Sequence, residues 1–350
     1  MSAPTQVHPL PVSIIIVSWN ALPLLQRCLP DVVQTSEGHD AEIILADNAS
    51  DDGSAEWVTA HFPTVRIVRH PENWAFCKGN NAAISHARGR YILLLNNDVE
   101  VTSGWLKPLL DTLDRYPSCA AVQPKLLQTG DRRRFEYAGA SGGFLDAFGY
   151  PFTRGRLFFT MEVDAGQYDD NRRVFWATGA AILLRRSALD RCGLLDERFF
   201  MHMEEIDLCW RFQRAGYEIR VEPASVVHHI GGGSLPYGHA RKAYFNFRNS
   251  LLMLYKNLPR RRWPAVFLAR ILLDGLAILR ATATGHFAEA GSILRAYWDA
   301  HRMRRFYAGE RPTGGEASVL PSYRGSIVVD YFVRGRRRFS ELPSARFSEE

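Results

Sequence analysis

The sequence predicts a doubly wound α/β fold, in which a mostly parallel sheet is covered by helices on both faces. Three observations point there. Short, nearly continuous apolar runs recur at residues 12–17 (VSIIIV), 42–47 (EIILAD), 65–68 (VRIV) and 91–95 (YILLL). Runs of that length between polar connections fit strands buried on both faces. Helical spacing fills the gaps at residues 22–34, 55–61 and 80–87, and alternating strand and helix is the pattern of a parallel sheet. The chain of 350 residues, 46% hydrophobic, can build a sizeable core and hold one large domain with an appendage, or two domains.

Each element follows in order. The first strand runs into Ser18, Trp19 and Asn20, and the second into the polar stretch 47–54, which begins Asp47, Asn48. The fourth runs into Asn96, Asn97 and Asp98. Asn, Asp and Ser favour turns anyway. Three such clusters at the carboxyl ends of one sheet, however, lie where α/β sheets bind ligands. Later strands are expected at residues 121–123, 180–185 and 219–221. Residues 201–217, MHMEEIDLCWRFQRAGY, read as a helix whose first turn carries Glu204, Glu205 and Asp207. Acids at a helix start complement its dipole, so the stretch has an ordinary explanation as well as a chemical one.

Composition excludes several classes. The five cysteines, Cys28, Cys77, Cys119, Cys192 and Cys209, show no paired spacing, so neither a disulfide framework nor a zinc site is suggested and a reducing compartment is expected. Residues 1–11 lack lysine and arginine, which does not fit a secretory signal. No dinucleotide-binding or P-loop glycine pattern follows the first strand. Ser234, in GGGSLPYG, lacks the G-x-S-x-G frame of a nucleophile elbow.

The net charge of +6 is uneven: residues 259–339 hold fifteen arginines, no lysine and six acids. No nucleic-acid-binding motif accompanies them, so an anionic membrane surface is the expected partner ahead of nucleic acid. Residues 263–284, WPAVFLARILLDGLAILRATAT, are interrupted by Arg270, Asp274 and Arg280 and are too polar to span a bilayer. With RRR at 260–262 and RMRR at 302–305 they suit an interfacial helix pair. A helical cap packed on the α/β domain, or a homodimer contact, is the alternative.

Taken together, VSIIIVSWN, EIILADNASDDGS, NWAFCKGNN, YILLLNNDVE, the stretch from TGAAILLRRSALD to RFQRAGY, and VVHHIGGGS resemble a family 2 glycosyltransferase, closest to bacterial rhamnosyltransferase-type enzymes. The resemblance spans residues 11–235 in unbroken order. It implies a GT-A fold, a nucleotide-sugar donor, a divalent Mg2+ or Mn2+ and inversion at the sugar carbon. It places Asp98 as the last acid of the family's metal-binding element, with Asn96 in place of its first acid. His229, or else His228, would complete the metal shell. Asp47 would recognise the nucleobase, and Lys78 would steady phosphate. Ser18, Asn20, Asn48, Asn81, Asn97, Trp176 and Gly179 would border the donor and acceptor.

The acidic pair Glu204–Glu205 matches the family's base position, with Glu205 standing where aspartate is usual. Asp207 is expected to cap the helix or pair with Arg211. Ala75 stands where a glycine is usual, a change that matters only if the position needs a positive φ. YFNFRNSLLMLYKNLP resembles membrane-associated members of the family. The expected layout is a disordered 1–10, a catalytic 11–235, a helical amphipathic 236–310 and a basic tail 311–350, at the inner face of the cell membrane. The expected activity moves a sugar, from dTDP-rhamnose or a UDP-sugar, to a glycan or lipid-linked acceptor in cell-surface polysaccharide synthesis. A GT-A-like nucleotidyltransferase and a non-catalytic glycan-binding protein are the rivals.

Overall fold

A computed structural model of the chain describes residues 10–231, 240–312 and 322–348. Ser234 and the glycines at 232 and 233 lie outside the described residues, as do parts of both terminal segments. The strands are β1 (Val12–Ser18), β2 (Ala41–Asp47), β3 (Arg66–Arg69), β4 (Tyr91–Leu95), β5 (Val99–Val101), β6 (Cys119–Gln128), β7 (Gly143–Leu145), β8 (Pro151–Thr153), β9 (Arg156–Leu157), β10 (Thr160–Met161), β11 (Arg172–Val174), β12 (Ala181–Arg185) and β13 (Glu218–His229). The helices are α1 (Leu22–Ser36), α2 (Ser54–His61), α3 (Ala75–Ile84), α4 (Leu106–Arg115), α5 (Arg186–Cys192), α6 (Glu204–Arg214), α7 (Ala240–Asn257), α8 (Trp263–Ala283), α9 (Phe287–Met303) and α10 (Ile327–Phe332).

The main sheet runs β11-β13-β6-β12-β4-β1-β2-β3, with β5 paired to β13. β1 is parallel to β2 and β4, and β2 to β3. β12 runs antiparallel between β4 and β6. The apolar runs follow from burial on two faces. Ile14, Ile16, Ile43, Leu45, Leu93 and Leu95 pack with Leu25 and Leu29 of α1 and Leu106 and Leu109 of α4. Ile15, Ile44, Ala46, Ile92 and Leu94, one step out of phase, pack with Cys77 of α3, Ile206 of α6 and Leu251 of α7. The fold is thus the mixed, mostly parallel α/β architecture expected, followed by the C-terminal helices α7, α8 and α9. A second, four-stranded sheet, β10-β9-β8-β7, was not anticipated, because strands of two or three residues carry no legible period.

Two features of β13 shape the site. Its register against β6 shifts between Glu222 and Val226, across Pro223, which cannot donate to the ladder. Beyond that bulge it continues antiparallel to β5, pairing His229 with Val99.

Candidate active site

Because β1, β2 and β4 are parallel, their carboxyl ends share one edge. Ser18 lies opposite Asp47 in the register, and the Asn48 N–H donates to the Ser18 carbonyl at 2.8 Å. Ser18 Oγ accepts from Asn97 Nδ2 at 3.2 Å, tying the ends of β1 and β4 together. Asn20, at φ 47°, donates its N–H to Ser50 Oγ at 3.0 Å and accepts from the Asp51 N–H at 2.9 Å. Asp47 is buried, and its Oδ1 accepts from the Ser50 N–H at 3.1 Å in an Asx-type turn. Asn48 serves the scaffold: its side chain meets His70 at 2.8 Å, the Ala75 carbonyl at 3.1 Å and Asn73 at 3.3 Å.

At the end of β4 the Asn96 N–H donates to the Ala180 carbonyl at 2.9 Å, and Asp98 lies two residues on. The β13–β5 pairing delivers His229 there: His229 Nε2 is 3.0 Å from Asp98 Oδ1. His229 Nδ1 lies 3.2 Å from Glu136 Oε1, and all three side chains are buried. Burial alone would lower the imidazole pKa, but the hydrogen bonds and charges of Asp98 and Glu136 overcome it and raise the pKa to about 10. His228, alternating to the other face of β13, pairs in register with Glu100 and is pushed down by burial. Among the described residues no three His, Cys, Asp or Glu side chains form a closed metal cage. Asp98 Oδ1 and His229 Nε2, the ring steadied from behind by Glu136, would make a half-shell once an incoming cation displaces the proton they share. A divalent ion bound through one or two protein ligands takes the rest from phosphate and water.

The acidic pair opens α6, beside the start of β12. Gly179, just ahead of β12, lies one residue from the Asn96–Ala180 bond, and a Cβ placed on it would come within 3.8 Å of Glu205 Cβ. Glu204 is buried, Glu205 is half-buried, and each has an Oε2 atom shielded from solvent without a hydrogen-bond partner. Burial raises the Glu205 pKa to about 7, against backbone hydrogen bonds that include one from Gly179. Burial and then the charge of Glu205 push Glu204 well above the usual carboxylate range. Glu204 therefore keeps its proton at neutral pH, and Glu205 is the member that can give up and take back one.

The turn before the pair is strained. Phe200, His202 and Met203 have φ of 69°, 66° and 72°, the left-handed region that non-glycine residues seldom adopt. Asn249 of α7 holds it, donating from Nδ2 to the carbonyls of Phe199, Met201 and His202 at 2.9, 2.8 and 2.8 Å. Arg248 adds a bond to the Phe199 carbonyl at 2.9 Å. One turn further on, Lys256 and Asn257 reach Asp207 at 2.9 and 2.8 Å, and Arg211 meets it at 2.9 Å. Asp207 is thus a structural ion held below its ordinary pKa, with burial opposed by Lys256 and Arg211. Sequence reading missed this clamp and Glu136. The signal for the clamp was present: Arg248, Asn249, Lys256 and Asn257 recur at helical spacing within an apolar helix.

Other expected residues are more dispersed. Lys78 is partly exposed, its Nζ 3.9 Å from the Trp74 ring centre and 3.9 Å from Glu72. The Asn81 amide is taken up by the 195–197 loop, bonding the Leu195 carbonyl at 2.8 Å and Glu197 at 3.1 Å. Trp176 is a core residue: its Nε1 donates to the Phe144 carbonyl at 3.0 Å and its ring lies flush against Gly143, where any Cβ would collide.

Known proteins share the family and the fold. The glycosyl transferase family 2 profile matches residues 13–193. An N-acetylglucosaminyl-diphospho-decaprenol L-rhamnosyltransferase of Mycobacterium tuberculosis is 28% identical over 233 residues, covering 62% of this chain and 75% of that protein. A pre-mycofactocin glycosyltransferase of the same species is 27% identical over 250 residues, 68% of this chain and 48% of that one. In fold, the chain resembles GalNAc-T7 solved with UDP, GalNAc and Mn2+ (TM-score 0.55, 16% identity, 71% of this chain and 48% of that one). It also resembles the mannosyltransferase PcManGT of Pyrobaculum calidifontis solved with GDP-Man and Mn2+ (TM-score 0.52, 16% identity, 87% and 84%). The chain belongs to glycosyl transferase family 2 and is a glycosyltransferase of GT-A architecture.

Proposed function

We propose that the protein moves a sugar, with inversion, from a nucleotide-diphospho-sugar to a hydroxyl of a glycan or lipid-linked acceptor, in polysaccharide synthesis at a membrane face. dTDP-rhamnose or a UDP-sugar is the donor. The observation that carries this reading is the pairing of two unlike groups around the ends of β4 and β12. One is the cation-binding pair Asp98–His229; the other is Glu205, a carboxylate with a shielded, unpartnered oxygen and a pKa near neutrality. The mycobacterial relative, named for a diphospho-decaprenol-linked acceptor, supports the acceptor class, and the Mn2+ in both structural neighbours supports the metal.

In this mechanism Asp98 and His229 would hold the divalent ion, Mg2+ or Mn2+, whose charge would offset that growing on the departing diphosphate. Ser18 and Asn97 form the floor, and the second carboxylate oxygen of Asp47 receives an N–H of the nucleobase. Glu205 accepts the proton of the acceptor hydroxyl as its oxygen bonds to the anomeric carbon. The bond from that carbon to the diphosphate oxygen breaks on the opposite face, its electron pair leaving with the diphosphate. Glu204 keeps its proton, so the carboxylate beside it is spared a second adjacent charge.

Donor turnover across a panel of nucleotide sugars, with Mn2+ and after chelation, tests the reading. Asp98→Ala is expected to abolish transfer and to weaken metal-dependent donor binding measured by calorimetry, with the fold intact by circular dichroism. Undiminished transfer by Asp98→Ala would count against it.

A further inference from the structure

Helix α8 is built inside out. Its two central charges, Arg270 and Asp274, are each 1% exposed, while Leu272 and Leu279 are 67% and 66% exposed. At 3.6 residues per turn, Leu268, Leu272, Leu276 and Leu279 line one side of the helix and Arg270, Asp274 and Ala281 the other. The inward side is held by polar bonds. Arg270 meets Asp274 at 3.0 Å and Ser250 of α7 at 2.8 Å, and Asp274 accepts from Tyr297 of α9 at 2.6 Å and from Tyr150. Orientation is therefore fixed, and the leucines are turned away from the body. Helix α9 repeats the arrangement: Ile293, Ala296 and Ala300 are buried, while Phe287, Leu294 and Trp298, at spacings of a single helix face, are exposed. Apolar side chains gathered this way mark a docking surface.

Charge identifies the occupant. Arg260, Arg261 and Arg262 lead into α8, Arg280 closes it, and Arg295, Arg302 and Arg305 lie along and just past α9; all are exposed. Among described residues 260–312, Glu310 is the sole exposed acid. A second copy of this face would bring arginine against arginine. An anionic bilayer satisfies both components, leucines at the acyl boundary and guanidinium groups among phosphate headgroups. Among described residues no helix is long and apolar enough to cross a membrane, which fits helices lying in the surface plane. We propose that the outer faces of α8 and α9 dock the enzyme onto an anionic lipid surface. The proposal deepens the glycosyltransferase reading and rests on it for the lipid-linked acceptor.

The test uses the full chain and cosedimentation with phosphatidylcholine vesicles, with and without phosphatidylglycerol. Binding is expected to the anionic vesicles, to weaken with salt, and to fall about tenfold or more when Leu272, Leu276 and Leu279 are all changed to Glu. The Arg302→Gln, Arg305→Gln variant should show a shallower salt dependence. Vesicle binding should also shift the emission of Trp298 to shorter wavelength, a change lost in Trp298→Phe. Metal-dependent donor hydrolysis without vesicles should be equal in the triple variant and the parent, which separates lost docking from lost folding. Hydrolysis failing in the parent as well would count against the metal-dependent reading of the site while leaving the vesicle result to judge this one. No binding to anionic vesicles at low salt would overturn the proposal, as would binding indifferent to the three glutamates. So would a dimer, seen by sedimentation equilibrium, that those glutamates turn into a monomer.

Discussion

The centre of α8 and the start of α6 both bury charged side chains, yet they do so in opposite ways. Arg270 and Asp274 answer one another and are further bonded by Ser250, Tyr150 and Tyr297. Glu204 and Glu205 are two acids set side by side, and each keeps an oxygen without a partner. A buried polar atom left unpaired costs about 1–3 kcal/mol, so the second arrangement persists against stability while the first sustains it. Burial of charge alone is therefore no sign of function; here it is the unsatisfied pair, and not the satisfied one, that stands beside the candidate site.

Breaking the satisfied pair should have the largest effect on stability. Asp274→Ala leaves Arg270 buried without its counter-ion and is expected to cost about 3–5 kcal/mol in urea unfolding. Replacing both, Arg270→Met with Asp274→Leu, should cost less than Asp274→Ala, because no buried charge is left unpaired, although Tyr150, Tyr297 and Ser250 lose partners. Glu204→Gln should behave oppositely. A carboxyl whose folded pKa is raised gives stability that is fully present below its unfolded pKa and declines as pH rises through the folded value. Removing Glu204 should thus leave stability unchanged at acid pH and raise it at alkaline pH. Equal losses from Asp274→Ala and Glu204→Gln at pH 8 would erase the distinction.

Next comes pH. A base works when deprotonated, and burial has lifted the Glu205 pKa to about 7. Turnover at saturating donor should therefore climb about tenfold per pH unit below neutrality and level off above it. A profile already flat from pH 5 upward would show that Glu205 does not titrate where its surroundings place it.

The smallest effect concerns Ala75, whose φ of 54° answers the question its sequence raised. A left-handed alanine is strained by about 1–2 kcal/mol, part of which glycine returns to the unfolded chain as entropy. Ala75→Gly is expected to stabilise by up to about 1 kcal/mol in the same unfolding assay. Destabilisation would mean that the strain is relieved elsewhere in the turn.

Much of the sheet was legible because strands covered on both faces show as unbroken apolar runs. Helix α3 was read five residues late, from Asn80, since it opens on a left-handed alanine within a polar stretch and shows no apolar period there. Only residues 219–221 of β13 were legible, because Pro223 and its bulge break the alternation. That strand is also what joins His229 to Asp98, 131 residues away in sequence, a contact local pattern cannot convey. Glu136 comes from an irregular segment ahead of β7 and offered no signal at all. The polar face of α7 was visible, but what it holds, the strained turn before Glu204, depends on packing between distant segments.

The most direct test of the account compares Glu205→Gln and Glu204→Gln side by side, measuring transfer rate and metal-dependent donor affinity for each. Glutamine keeps the size and hydrogen bonding of the side chain but cannot take a proton. Glu205→Gln is expected to lose about 10²–10⁴-fold in turnover with donor affinity preserved, whereas Glu204→Gln should lose far less. Loss of turnover confined to the Glu204 variant, or in neither variant, would contradict the assignment of Glu205 as the base.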